Sequence, residues 1–140
     1  LPDVCELMRA AILVWILALA ACGGSSPPPP DCTGATCSCA PDETCGFDLE
    51  TCGDSCSLDC GDGADCSGTC GDSCSIDCGA MATCEVEVGA SGSVSCAPGS
   101  TCHVTCSASC SVSCGSGATC DVTCPGETEP QAITGSGGCE

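Results

Sequence analysis

Across residues 52–124, apolar and polar positions alternate with a period of two, and glycine-rich turns interrupt the alternation at regular intervals. That is the pattern of short strands with one buried face. Two kinds of segment recur. The first comprises Cys84-Glu85-Val86-Glu87-Val88, Cys102-His103-Val104-Thr105-Cys106 and Cys120-Asp121-Val122-Thr123-Cys124, with Cys66-Ser67-Gly68-Thr69-Cys70 as a weaker copy. The second comprises Cys56-Ser57-Leu58-Asp59-Cys60, Cys74-Ser75-Ile76-Asp77-Cys78, Gly92-Ser93-Val94-Ser95-Cys96 and Cys110-Ser111-Val112-Ser113-Cys114. In both, cysteine and an aliphatic residue share one face, while Ser, Thr, Asp, Glu and His share the other. A three-residue turn such as 71–73 and a five-residue turn such as 115–119 join them.

The cysteines set the period. They fall four or six residues apart from Cys52 to Cys124, except for one gap of twelve between Cys84 and Cys96. That gap is two missing cysteines, at Val88 and Gly92. With them restored the series repeats every 18 residues, in columns such as Cys60/Cys78/Cys96/Cys114 and Cys66/Cys84/Cys102/Cys120. A fixed period of this size marks a stacked-coil architecture. The expected fold is all-β: a small disulfide-stapled β-solenoid of about 18 residues per coil and four to five coils, spaced at about 4.8 Å.

The segment before the repeat has a different character. Residues 7–21 are almost wholly apolar behind Met8-Arg9, and are shorter than the ~20 apolar residues that span a bilayer. A short basic start, an apolar stretch and a small-residue exit form a secretory signal. The exit, Leu19-Ala20-Ala21-Cys22 followed by Gly23-Gly24-Ser25-Ser26, resembles the lipobox of bacterial lipoproteins. The resemblance implies that Cys22 is lipidated and becomes the mature N-terminus, with Met8 as the start and Cys5 outside the mature protein. Gly23 after that cysteine implies, by the sorting rule of such lipoproteins, the outer membrane or cell surface of a bacterial envelope.

Removing 1–21 changes the composition. Arg9, the single basic residue of a chain with net charge −18, leaves together with Asp3 and Glu6, so the mature charge is about −17. Trp15 leaves too, and Phe47 is then the sole aromatic. A surface of unopposed carboxylates repels phosphate and excludes nucleic acid as a partner. The remaining apolar residues cannot build an ordinary core, and exported domains in that position use disulfides. Without Cys5 and Cys22, twenty of the 22 cysteines remain, an even number that fits ten bridges.

The expected organisation is therefore a signal segment with upstream residues (1–21), a lipidated cysteine and Gly/Ser/Pro tether (22–30), an irregular Cys-rich cap (31–51), the solenoid (52–124) and a flexible tail (125–140). In the cap, Cys39-Ala40-Pro41-Asp42-Glu43-Thr44-Cys45 matches Cys96-Ala97-Pro98-Gly99-Ser100-Thr101-Cys102, which marks a degenerate first coil with an insertion before Cys52. Cys139 could staple the tail back.

Val88 and Gly92 flank one short turn, so two cysteines lost together point to pairing across that turn. Cys52–Cys56, Cys70–Cys74 and Cys106–Cys110 follow. The other columns close around the long turn as Cys60–Cys66, Cys78–Cys84, Cys96–Cys102 and Cys114–Cys120, or cross the interior as Cys66–Cys78, Cys84–Cys96 and Cys102–Cys114. The first scheme is preferred because it leaves only Cys124 of the repeat over. Loops this short stabilise by about 2 kcal/mol each.

Candidate chemistry is sparse. Thiolate zinc or copper sites favour Cys-x2-Cys or Cys-x-Cys with histidine partners, whereas the repeat is Cys-x3-Cys and Cys-x5-Cys. Metallothionein-like chains share the cysteine density but typically carry lysine. Asp54 and Asp72 repeat in the short turn, Asp59 and Asp77 on a strand face, and Asp62 and Asp65 in the long turn. A Ca²⁺ ion bridging such stacked acids would relieve their repulsion; a solvated acidic face is the simpler reading. Rows such as Thr83/Thr101/Thr119 resemble those of insect ice-binding proteins, but Glu85, His103 and Asp121 interrupt the face, which makes ice binding a distant third. One histidine that the sequence places beside no particular Ser, with no Lys or Tyr and no Gly-rich phosphate loop, offers no catalytic constellation, and no enzyme activity is expected.

The expected role is thus structural or binding, at the envelope or surface, with the bilayer as partner through the anchor and an extracellular protein or glycan as the candidate for the polar faces. Metal binding, through acidic turns or thiolates, is the alternative; no other cofactor is expected.

Overall fold

The computed structural model describes residues 30–33, 35–48 and 52–140. The expected signal segment, Cys22 and all of the tether but Pro30 lie outside the described residues.

The fold is an all-β solenoid of five coils. Each coil gives one strand to each of two sheets and pairs in parallel with the next coil, because a coil with apolar residues on one face of two short strands can bury them only against each other. The first sheet runs β1 (Asp31–Thr33), β2 (Thr36–Cys39), β4 (Ser57–Cys60), β6 (Ser75–Cys78), β8 (Gly92–Cys96), β10 (Cys110–Cys114) and β13 (Gly135–Cys139). The second runs β12 (Gln131–Ile133), β11 (Thr119–Thr123), β9 (Thr101–Cys106), β7 (Thr83–Val88), β5 (Asp65–Cys70) and β3 (Thr44–Phe47). Seven strands at the usual spacing make a rod roughly 30 Å long.

The 18-residue period is the register of both sheets. Leu58, Ile76, Val94 and Val112 stack in the first, and Val86, Val104 and Val122 in the second. These aliphatics and the inward cysteines form one continuous buried cluster. Cysteine supplies most of the bulk: the bridges Cys39–Cys45, Cys60–Cys66, Cys78–Cys84, Cys96–Cys102 and Cys114–Cys120 each close a long turn within one coil. Cys52–Cys56 and Cys106–Cys110 close short turns. Where the short-turn pair is absent, Val88 and Gly92 are both buried and in contact distance, so a branched side chain beside a bare backbone replaces two sulfurs.

The turns repeat too. Ser55, Ser73 and Ser91 occupy the left-handed region at φ of 58°, 59° and 59°, each 18 residues from the next. In the long turn the same conformation falls on Asp42, Gly63, Met81, Gly99 and Gly117. Glycine accepts it without steric cost, whereas Met81 adopts it with its side chain 73% exposed. Inside that turn Ala64, Ala82 and Ser100 are buried, and the Ser100 hydroxyl donates to the Ala97 carbonyl at 2.7 Å.

The two ends are more regular than an irregular cap and a flexible tail. The degenerate first coil expected before Cys52 is present and in full register: β2 pairs with β4 and β3 with β5, at an offset of 21 instead of 18. The three extra residues fall between Phe47 and Cys52. Before this coil, β1 turns back antiparallel on β2, tied by Cys32–Cys37. Residues 125–140, expected as a flexible tail, carry β12 and β13, which lie antiparallel on β11 and β10. The Cys124–Cys139 bridge holds this return. Reversing the chain direction lets the last coil satisfy its backbone groups in both sheets without a further coil.

Candidate functional site

The six carboxylates of the candidate calcium site do not converge. Asp54 and Asp72 sit in successive short turns, Asp62 in a long turn, Asp59 and Asp77 on the outer face of the first sheet, and Asp65 on that of the second. Three of them already have work. The Asp72 N–H donates to Asp54 Oδ1 at 2.9 Å, the Ala90 N–H to Asp72 Oδ1 at 2.7 Å, and the Ala80 N–H to Asp62 Oδ1 at 2.8 Å. Each donor lies 18 residues beyond its acceptor, so these aspartates tie one turn to the next. Asp59 and Asp77 are in-register neighbours and solvent-exposed. Among the described residues, none of the six belongs to a three-ligand grouping.

The sulfur groupings are Cys37/Cys52/Cys56, Cys96/Cys102/Cys120 and Cys106/Cys110/Cys139, with Glu43 joining Cys39 and Cys45. Every cysteine in them is bridged in the structure, and a disulfide offers no thiolate to a metal. Cys70 and Cys74 depart from the expected pairing: they are the two unbridged cysteines among the described residues, both buried at a short turn. The Cys74 thiol donates to the Gly53 carbonyl one coil away at 3.4 Å and is also in hydrogen-bond contact with the Cys70 side chain. Burial, reinforced by a hydrogen bond and the charge of Cys74, pushes the Cys70 thiol far above the ordinary thiol range.

The outer faces are the remaining surfaces with chemistry. On the first sheet, hydroxyls form a column through Thr36, Ser57, Ser75, Ser93 and Ser111. A parallel column holds Ser38, Asp59, Asp77, Ser95 and Ser113. This flat, uncharged-to-acidic strip was visible in the repeat as Ser-x-Asp and Ser-x-Ser, though no single residue in it looks functional.

On the second sheet, Thr83, Thr101 and Thr119 stack in one row, and Thr69, Glu87, Thr105 and Thr123 in another. Between them runs Ser67, Glu85, His103, Asp121. His103 Nδ1 lies 3.3 Å from Asp121 Oδ2, with the two side chains 50% and 27% exposed. The histidine is therefore paired, where sequence alone suggests a solvated side chain. Beside it a shallow groove of about 430 Å³ is lined by Ser67, Gly68, Thr69, Glu85, Glu87 and His103, among others. The small residues 67–69 make the depression, and the acids and His103 form its wall.

No protein-family model, curated protein or solved structure matches this chain.

Proposed function

We propose that the chain is an exported bacterial lipoprotein, anchored through Cys22, whose disulfide-stapled solenoid serves a structural or binding role at the cell envelope or surface. One observation carries the reading most: eighteen of the described cysteines are bridged, so that disulfides form most of the core. Such a core suits a compartment where thiols stay oxidised, and disulfides persist chiefly outside the cytoplasm. The signal-like segment ending in Leu19-Ala20-Ala21-Cys22 supports the same compartment and supplies the anchor. Two long polar faces with regular strand spacing suit an extended partner, an extracellular protein or glycan, better than a small molecule.

The test is the intact mass of the protein from the membrane fraction, with and without alkylation before reduction. The expected result is a chain beginning at Cys22 with a lipid increment and no more than two alkylated thiols. A chain that keeps residues 1–21, or that alkylates at many cysteines, overturns the proposal.

A further inference from the structure

We infer that the N-terminal end of the rod is a self-association surface, at which β1 of each of two copies pairs with β3 of the other. The inference rests on the form of that end and does not depend on the anchor or on the cellular location.

The two sheets stop at different heights there. In the first sheet β1 adds a strand beyond the first coil, whereas in the second β3 is the last strand among the described residues. At the opposite end β12 and β13 close both sheets at one height. The N-terminal end is thus a step one strand high. The chain just ahead of β1 cannot level it as β12 does, because residues 27–30 are four prolines with no N–H to give. A second copy can. Turned about a two-fold axis that runs along the strands between the sheets, its β1 enters beside β3 while its β3 meets β1. A single displacement continues both sheets, and such an isologous contact closes at two copies. An axis across the sheets would instead set β1 against β1 and leave the two β3 strands apart.

The backbone groups are aimed accordingly. The Asp65 N–H donates to the Glu43 carbonyl at 2.8 Å, so residues 43, 45 and 47 face β5, while Thr44 and Gly46 turn their N–H and C=O to the free edge. The Gly61 N–H donates to the Cys39 carbonyl at 2.9 Å, so Thr36 and Ser38 face β1. Their partners Thr33 and Asp31 face back, which leaves the Cys32 backbone groups for the free edge of β1. Being antiparallel to β2, β1 runs in the direction of β3, and the axis along the strands makes the new pairing parallel. With Cys32 opposite Cys45 of the second copy, its N–H meets the Thr44 carbonyl and its C=O the Gly46 N–H of that copy. The two-fold repeats both bonds. Side chains fit this register: Cys45 is buried in the inward column, and Cys32, bridged to buried Cys37, stands exposed at the end of the rod. Asp31 then faces Thr44, and Thr33 faces Gly46, so no acid stands opposite an acid. The contact is small, which makes the association weak and reversible. The net charge of −18 opposes it, so salt should strengthen it.

The oxidised protein is followed over a concentration series by analytical ultracentrifugation in density-matched detergent and by amide hydrogen exchange. Dimers should appear as concentration rises, and protection should appear with them at the Cys32 and Gly46 N–H groups. Thr44 is exposed, so its variants should melt as the parent does. Thr44→Lys, brought opposite Asp31 of the second copy, should tighten the dimer about threefold, and Thr44→Glu should weaken it about threefold. Thr119→Lys makes the same charge change far from this end and should leave the dimer near the strength of the parent. A monomer at every concentration up to about 1 mM overturns the inference. So does a dimer that protects β12 and β13 instead, or one that Thr44→Lys and Thr44→Glu leave equally strong. Protection of the Gly46 N–H that persists in the monomer overturns it too, and assigns the β3 edge to another segment of the same chain.

Discussion

Phe47 lies over Gly68. The two are in-register neighbours on β3 and β5, and a β-carbon at Gly68 would fall against the Phe47 carbonyl oxygen and 2.9 Å from Cγ of its ring. Along this column the other coils carry Val86, Val104 and Val122. Gly68 thus gives up the valine of the repeat, and the one aromatic of the described chain takes the space. Its φ of 151° is also a conformation that only glycine adopts freely. Gly68→Ala should lower unfolding stability by about 2 kcal/mol or more, through overpacking and backbone strain. Phe47→Ala should cost about 3 kcal/mol through the cavity it leaves. Denaturant unfolding without reductant measures both. A Gly68→Ala protein as stable as the parent would refute the packing relationship.

The aspartate ties between turns make a separate prediction. Asp72→Ala leaves the Ala90 N–H without its acceptor and should cost about 1 kcal/mol, while Asp72→Asn keeps an oxygen in place and should cost less. Hydrogen exchange at Ala90 is the direct readout, and its protection should fall in the alanine variant alone.

Met81 stands in the left-handed conformation that the equivalent coils assign to Gly63, Gly99 and Gly117, and its side chain is exposed. Met81→Gly should therefore raise stability by about 0.5–1 kcal/mol, since relief of the left-handed strain outweighs the extra freedom of the unfolded chain. A lower melting temperature would show that the methionine packs usefully in that turn.

Reduction should unfold the rod. With nine bridges opened, the aliphatic columns alone cannot offset the ordering of five coils, and the β-sheet circular dichroism should collapse. Retention of the sheet signal in reductant would mean that the hydrogen-bonded ladder suffices.

The Cys70 thiol sets a pH dependence. Its folded pKa is raised by burial, so the folded chain holds this proton when the unfolded chain has begun to release it. The stability is fully present below the ordinary thiol value of 9.0 and declines as pH rises above it. Compared at pH 7 and pH 10, the parent should lose more stability than a Cys70→Ser/Cys74→Ser variant. In the native state at pH 8, both thiols should alkylate slowly. Equal pH slopes in the two proteins would remove the contribution assigned to Cys70.

The period, the two-strand coil and the inward face of cysteine and aliphatic were legible in the sequence, because in a stacked coil each residue meets its own equivalent one coil away. A spacing of 18 along the chain is then a spacing of one strand in space, and columns such as Leu58/Ile76/Val94/Val112 can be written down without coordinates. The same logic reaches the first coil only in part, since the three residues added before Cys52 break the count while the strands keep their register.

Relations that are not periodic were decided by the tertiary structure. Phe47 over Gly68, the antiparallel return of β12 and β13, and the thiols of Cys70 and Cys74 each occur once, so no column announces them. Whether an aspartate ties its neighbour, as Asp72 does, or faces solvent, as Asp77 does, depends on where its carboxylate points relative to the next turn. The pairing of His103 with Asp121 beside Glu85 and Glu87 likewise follows from rotamers across three strands. Repetition along the chain determines which residues are neighbours; side-chain direction across coils, which only the folded structure specifies, determines what those neighbours do.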